Sequence, residues 1–209
     1  MIVSLRRSFT TSLGLLTWVA LCASGCLMGR NTVTPRQFVL SPIATPPTTE
    51  AFAKPPGIGV ALVRVPGYLQ RASMAVRKDN NEIVYLDAAV WAERLDSLIQ
   101  RSLAENLSTL VPTDSIRLSS WLKDEVSRAV SVTVERLDVT PEGQGTLVAW
   151  WRVTSSDGSK TYKDGEIRIT QKPASPGVHP EGVADTVSQL VAQMSQVLAQ
   201  AVRATANQD

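Results

Sequence analysis

The stretch from Thr146 to Val153 is apolar on both of its faces. In an extended chain successive side chains point opposite ways, so Leu147, Ala149, Trp151 and Val153 share one face while Val148 and Trp150 share the other. Such a strand lies inside a sheet, or its second face meets a partner. Its flanks supply candidate neighbours. Ala129 to Val139 alternates at Val130, Val132 and Val134 and then changes phase to Leu137 and Val139, which predicts a bulge near Glu135-Arg136. Pro141-Glu142-Gly143-Gln144-Gly145 turns the chain, Asp157-Gly158 marks the next turn, and Thr161 to Thr170 can return as a third strand through Tyr162, Ile167 and Ile169.

Upstream, Ile58 to Val65 is an apolar run between Gly57 and Pro66-Gly67, the signature of a buried strand. Ser73 to Arg77 and Glu82 to Leu86 read as a hairpin around Lys78-Asp79-Asn80-Asn81. A helix follows in this reading. Asp87 can cap its start, Leu95, Ile99, Leu103, Leu107 and Leu110 draw one apolar stripe, Trp91 and Leu98 widen it, and Pro112 stops it. After a loop with Pro173, Pro176 and Pro180, a closing helix carries Val183, Val187, Leu190, Met194, Val197 and Ala201 at alternating four-three spacing. That seam suits either a helix packed on its own sheet or a short coiled coil. The expected class is α+β: an antiparallel or mixed sheet with two long amphipathic helices packed on one face.

The N-terminus has a different grammar. Arg6 and Arg7 precede an apolar stretch from Leu13 to Leu21, which at about ten residues fits a secretory signal and falls short of the ~20 that span a membrane. Ala23, Ser24 and Gly25 then lead into Cys26, which resembles the lipobox of bacterial lipoproteins, where the thiol takes a diacylglyceryl group and, once freed as the new N-terminus, an N-acyl chain. The alternative is an ordinary cleaved signal that leaves a free thiol. Cys22 is the rival acceptor, but bulky Leu21 precedes it. One acyl chain holds a protein only marginally, whereas two or three make attachment effectively permanent. Leu27 would follow the modified cysteine, where lipoproteins retained in the inner membrane often carry Asp, so the resemblance points to the periplasmic face of the outer membrane. The expected division is 1–25 signal, 26–57 lipidated N-terminus and tether, and 58–209 domain. Pro42, Pro46, Pro47, Pro55 and Pro56 stiffen the tether, whose full extension from Leu27 to Gly57 would reach on the order of 100 Å, unless Gln37-Phe38-Val39-Leu40 within it forms a short strand that docks back on the domain.

Charge and chemistry narrow the function. Removing Arg6 and Arg7 with the leader takes 21 basic residues to 19, against 19 acidic ones, and no basic stripe remains to suit nucleic acid. The one histidine, His179, sits in a proline-rich loop. There is no Cys-x-x-Cys or His-Glu-x-x-His spacing for zinc, and Gly57-Ile58-Gly59 lacks both the third glycine of a dinucleotide turn and the lysine of a P-loop. Asp164 and Glu166 share a strand face, as paired carboxylates or as solvated charges. The expectation is a protein that is not an enzyme and that needs no metal or cofactor beyond the acyl groups on Cys26.

Gly57-Ile58-Gly59-Val60 with Val63-Arg64-Val65-Pro66-Gly67-Tyr68-Leu69-Gln70-Arg71, and then Trp91-Ala92-Glu93-Arg94-Leu95-Asp96 with Leu103-Ala104-Glu105-Asn106-Leu107-Ser108, resemble the auxiliary lipoproteins of MCE-type ABC lipid transporters, the paraquat-inducible protein C family. The resemblance covers nearly all of the chain after the leader and weakens over residues 112–128 and 171–182. It implies an outer-membrane lipoprotein that assists an inner-membrane ABC system carrying MCE-domain tubes, in intermembrane phospholipid movement and envelope integrity, as a docking or ring-forming element. The other reading is an assembly lipoprotein of a secretion, pilus or outer-membrane biogenesis machine. Candidate contacts are Tyr68, Leu69 and Arg71 after the Pro66-Gly67 turn, Trp91, and Val148 with Trp150 as a self-association face. For each of these the competing reading is packing inside the domain.

Overall fold

The computed structural model describes residues 34–43, 57–113, 115–173, 177–206 and 208. Cys26, the leader and the stretch 44–56 lie outside them. Within Pro35–Asp209, the second of two units, the strands are β1 (Arg36–Phe38), β2 (Ile58–Val60), β3 (Ser73–Arg77), β4 (Ile83–Trp91), β5 (Ile116–Leu118), β6 (Arg128–Val139), β7 (Gly145–Thr154) and β8 (Thr161–Gln171). The helices are α1 (Leu95–Leu110) and α2 (Pro180–Thr205). The α+β class stands, with the strands divided between a three-stranded sheet, β1-β4-β3, and a five-stranded sheet, β5-β2-β6-β7-β8.

Strand β7 occupies the interior position that its two apolar faces require, antiparallel to both β6 and β8. The phase change in β6 is a bulge: the register shifts between Val134 and Arg136. One extra residue there returns Leu137 and Val139 to the core, where both are buried. Trp151 lies across from Gly165 on β8, and a Cβ at Gly165 would stand 3.1 Å from the indole, so the glycine leaves room for the ring. The Ile58 to Val65 run is strand only over β2; Arg64 then bridges Thr133 on β6, and of the apolar residues between, Val63 lines the core.

The first helix begins later than its sequence suggests. Asp87 is exposed in the middle of β4, and Trp91 is that strand's last residue. The cause is tertiary pairing. Arg36 to Phe38 run parallel to Ala89 to Trp91 on one side, and Ser73 pairs with Val90 on the other, which outweighs the helix preference of Ala88 and Ala89. Helix α1 therefore starts at Leu95, and its first turn carries Asp96, which accepts from the Ser97 amide at 2.7 Å and from Arg94 at 2.5 Å. Those bonds, Arg94 foremost, hold the Asp96 carboxyl below the usual range, and a carboxylate is favoured at a helix N-terminus. Leu95, Ile99, Leu103 and Leu107 are buried as the stripe predicts, and buried Gln100 donates to the Val60 carbonyl at 2.8 Å, fastening α1 to β2.

Helix α2 buries more than its predicted seam. Val191, Leu198 and Val202 are buried beside Val183, Val187, Leu190, Met194 and Ala201, while Val197 is only half-buried. A wide stripe of this kind packs against a sheet and a second helix at once. At the start of β7 the contact is close enough that a Cβ on Gly145 would run into Thr186 and Leu190. Buried Arg128 closes the other end, donating through Nε to the Thr205 carbonyl at 3.1 Å and through Nη2 to that of Gln208 at 2.9 Å, a cation at a helix C-terminus.

Residues 35–43 dock on the domain. Phe38 accepts from the Ala92 amide at 2.8 Å, the Ser41 amide donates to Ser188 Oγ at 3.1 Å, and the Ile43 amide donates to Asn106 Oδ1 at 2.7 Å. Asn106 is fully buried and its Nδ2 donates to Ser195 Oγ at 3.0 Å, so one side chain ties this strap to both helices. Asn106→Ala should destabilise the protein by about 1–3 kcal/mol through the polar atoms it strands. Hydrogen exchange at the Ile43 amide should rise with it, and unchanged exchange would contradict the clamp.

Candidate functional site

The helices cover one face of the five-stranded sheet, and the opposite face is only partly covered. Over β2 it is closed by Trp121, whose indole would lie 2.8 Å from a Cβ on Gly59 and whose Nε1 donates to the Ser156 carbonyl at 2.9 Å. Beyond β2 the face opens. The segment carrying Leu62 and Arg64 runs beside β6, with the Ala61 amide donating to Val130 at 2.9 Å and the Arg64 amide to Val132 at 3.1 Å. Val63 turns into the core, so Leu62 and Arg64, both exposed, share the outer side.

Cross-strand register sets the order of the outer side chains. One row runs Arg64, Thr133, Trp150, Glu166, and the next places Ser131, Arg152 and Asp164 side by side. Between the Leu62 segment and β7 lies a cleft of about 430 Å³ with Ser131 and Thr133 among its lining. Leu62 is 52% exposed and Trp150 48%, two of the five large apolar side chains left in the open among the described residues.

A second polar cluster sits where the two sheets approach. Asp138, buried on β6, accepts from Arg77 Nε at 2.5 Å, from Tyr68 Oη at 2.8 Å and from Arg136. Burial alone would raise the Asp138 pKa, but the bonds from Arg77, Arg136 and Tyr68 outweigh it and hold the carboxyl below its ordinary value. Tyr68 Oη in turn accepts from the Leu137 amide at 3.2 Å, and burial, above all, pushes the phenol up to about 12. Because the folded pKa is raised, the stabilisation is complete below the unfolded value of about 10 and is lost as pH climbs toward the folded value. Tyr68→Phe should therefore flatten the alkaline limb of a stability profile above about pH 10. A limb as steep as the wild type's would contradict the latch.

The six candidate contact residues separate by burial. Leu69, Trp91 and Val148 are buried, so their surfaces are spent inside the domain. Tyr68 is half-buried, with its hydroxyl held by Asp138 and Leu137. Arg71 is exposed and stacks over Tyr85 at 4.8 Å from the ring centre. Trp150 is open to solvent, but the side chains in its row are polar. His179 is exposed at the N-cap of α2, where its backbone carbonyl accepts from the Val183 amide at 3.0 Å. Glu166 is held by Arg168 at 2.7 Å rather than paired with Asp164. No group of three potential metal-ligating side chains occurs among the described residues.

Sequence reasoning passed over Asp138, Arg152 and the two hydroxyls of β6. Asp138 carried a usable signal: it stands between buried Leu137 and Val139 just past the bulge, where an isolated carboxylate calls for partners. Residues 38–205 match a family model described as ABC-type transport auxiliary lipoprotein component. Two solved structures share the fold. An uncharacterized protein is 18% identical, with 81% of this chain and 99% of that one covered at a TM-score of 0.66. A protein from Xanthomonas campestris is 13% identical, with 83% and 98% covered at a TM-score of 0.69. No curated protein matches the sequence.

Proposed function

The chain belongs to the family of ABC-type transport auxiliary lipoprotein components, and from that premise we propose that it is an outer-membrane lipoprotein, facing the periplasm, that serves an MCE-type ABC system for phospholipid movement between the membranes. The observation that carries the reading is the match over residues 38–205, which takes in both sheets and both helices. The resemblance of the Tyr68 and Trp91 segments to the auxiliary lipoproteins of MCE systems supports the choice of transporter, and the residues leading into Cys26 support the anchor. The role in this reading is docking, in keeping with an auxiliary component.

Docking of residues 35–43 shortens the tether that this anchor would use. Arg36 is only ten residue steps beyond Cys26, so the intervening chain spans at most about 35 Å, not the ~100 Å of a free chain to Gly57. The domain thus works close to the membrane, with exposed Arg71 available to a transporter subunit or to neighbouring copies in a ring. Cys26→Ala should abolish labelling by radioactive palmitate and release or misprocess the protein. Unchanged labelling and membrane retention would contradict the assignment of the anchor.

The transport role is tested by epistasis. Deleting this gene, or the gene of an MCE-domain subunit, should produce the same envelope leakiness, and deleting both should be no worse. Additive defects would mean separate pathways. Epistasis with a secretion or pilus gene instead would favour the assembly reading.

A further inference from the structure

We propose that the open half of the outer sheet face, where Arg64 and Arg152 flank the Ser131 and Thr133 hydroxyls between Leu62 and Trp150, binds a zwitterionic aminoalkyl phosphodiester such as a phosphoethanolamine headgroup. The site is built by register. Arg64 stands opposite Thr133, Thr133 opposite Trp150, and Ser131 opposite Arg152. The two guanidinium groups therefore lie on one diagonal of the cleft and the two apolar side chains on the other, with two small hydroxyl-bearing residues between them.

What distinguishes this patch is that its polar groups are unspent. Arg77, Arg94, Arg136 and Arg168 each hold a carboxylate. Among the described residues Arg64 and Arg152 hold none, and neither Ser131 nor Thr133 uses its hydroxyl in a hydrogen bond. Two guanidinium forks and two hydroxyl donors suit a tetrahedral oxyanion, whose several acceptor oxygens each need a donor. A single carboxylate would leave part of that set unmatched.

The third strand selects among phosphates. Asp164 stands beside Arg152 on β8, one strand spacing away at ~4.8 Å, and forms no ion pair with it. Two carbons between phosphate and ammonium give a comparable separation, so a phosphate held on the Arg152 side of the cleft places its ammonium toward Asp164 and the Trp150 ring, a cation-π position. A phosphate monoester, with more negative charge and no cation, would meet the Asp164 carboxylate uncompensated. Leu62 supplies an apolar rim for the diester's carbon skeleton, and the cleft of about 430 Å³ lies within the range of ligand sites, roughly 300–1,000 Å³. The geometry stands independently of the transport reading.

The test is a titration of the full lipidated chain in a neutral sugar detergent, following the indole resonance of Trp150 by NMR. Short-chain phosphatidylethanolamine should shift it saturably, whereas short-chain phosphatidylglycerol and inorganic phosphate should bind at least about tenfold more weakly. Arg64→Gln and Arg152→Gln should each weaken phosphatidylethanolamine by about tenfold or more, with Arg64→Lys and Arg152→Lys intermediate because they keep the charge and lose the fork. Asp164→Asn should erase the preference for ethanolamine over glycerol. The buried Trp151 indole reports whether each variant stays folded. No saturable shift, or a shift indifferent to both arginine substitutions, overturns the site. Inorganic phosphate binding as tightly as phosphatidylethanolamine leaves an anion hole and overturns the headgroup assignment, and equal binding of the two lipids by the wild type overturns the role of Asp164. Because no transporter subunit is present in the titration, its failure and the failure of the epistasis test are separate results.

Discussion

Leu103→Ala is expected to lower the free energy of unfolding by about 2–5 kcal/mol. Leu103 is fully buried at the middle of α1, with Ile99 and Leu107 one turn to either side and equally inaccessible. Removing its branched end takes apolar atoms out of a core that α1, α2 and the sheets fill together, and elements held on several sides can close only part of the resulting cavity. The expected signature is a lower denaturant midpoint with an unchanged slope, since the surface exposed on unfolding hardly alters. A midpoint within error of the wild type's would mean that the α1 stripe does not face the core.

Asp138→Ala is expected to cost about 2–4 kcal/mol at neutral pH. A wholly buried pair broken from one side costs ~3–5 kcal/mol, and the figure here is smaller because Arg136, with 46% of its side chain exposed, can turn to water. Arg77, at 20%, is less free to do so, and the Tyr68 hydroxyl loses its acceptor. The pH dependence separates this loss from a simple packing defect. The folded pKa of Asp138 lies below its unfolded value near 3.9, so its contribution is present above about pH 4 and disappears as pH falls through the folded value. The difference between wild type and variant should therefore shrink on acidification. A gap that stays constant down to acid unfolding would show that the carboxylate's charge does not carry the effect.

Legibility from sequence followed the range of the forces involved. Alternation and helical periodicity are local, so β6 with its bulge, interior β7, β8 and the stripes of both helices were readable residue by residue. The fate of residues 87–91 was not, because their extended shape depends on β1, a three-residue strand about fifty positions earlier. Strand β5 is equally short, and parallel pairing to β2 is what makes it a strand. The candidate contacts divided along the same line. Exposure of Trp150 and burial of Val148 two residues away are decided by what lies over each, not by alternation, which treats them alike. The juxtaposition of Arg64, Ser131, Arg152 and Asp164 was illegible for that reason too: it needs the register of β6, β7, β8 and an irregular segment together.

The role proposed for this lipoprotein is that of the outer-membrane-side element of an MCE-type transport system. It is tested most directly by placing a photo-crosslinking amino acid at exposed position 71 of the full chain, irradiating living cells and identifying the adducts. A covalent adduct to an MCE-domain protein is expected, lost when Cys26 is replaced by alanine. Adducts only to secretion, pilus or outer-membrane assembly proteins, with the wild-type chain correctly anchored, would contradict it.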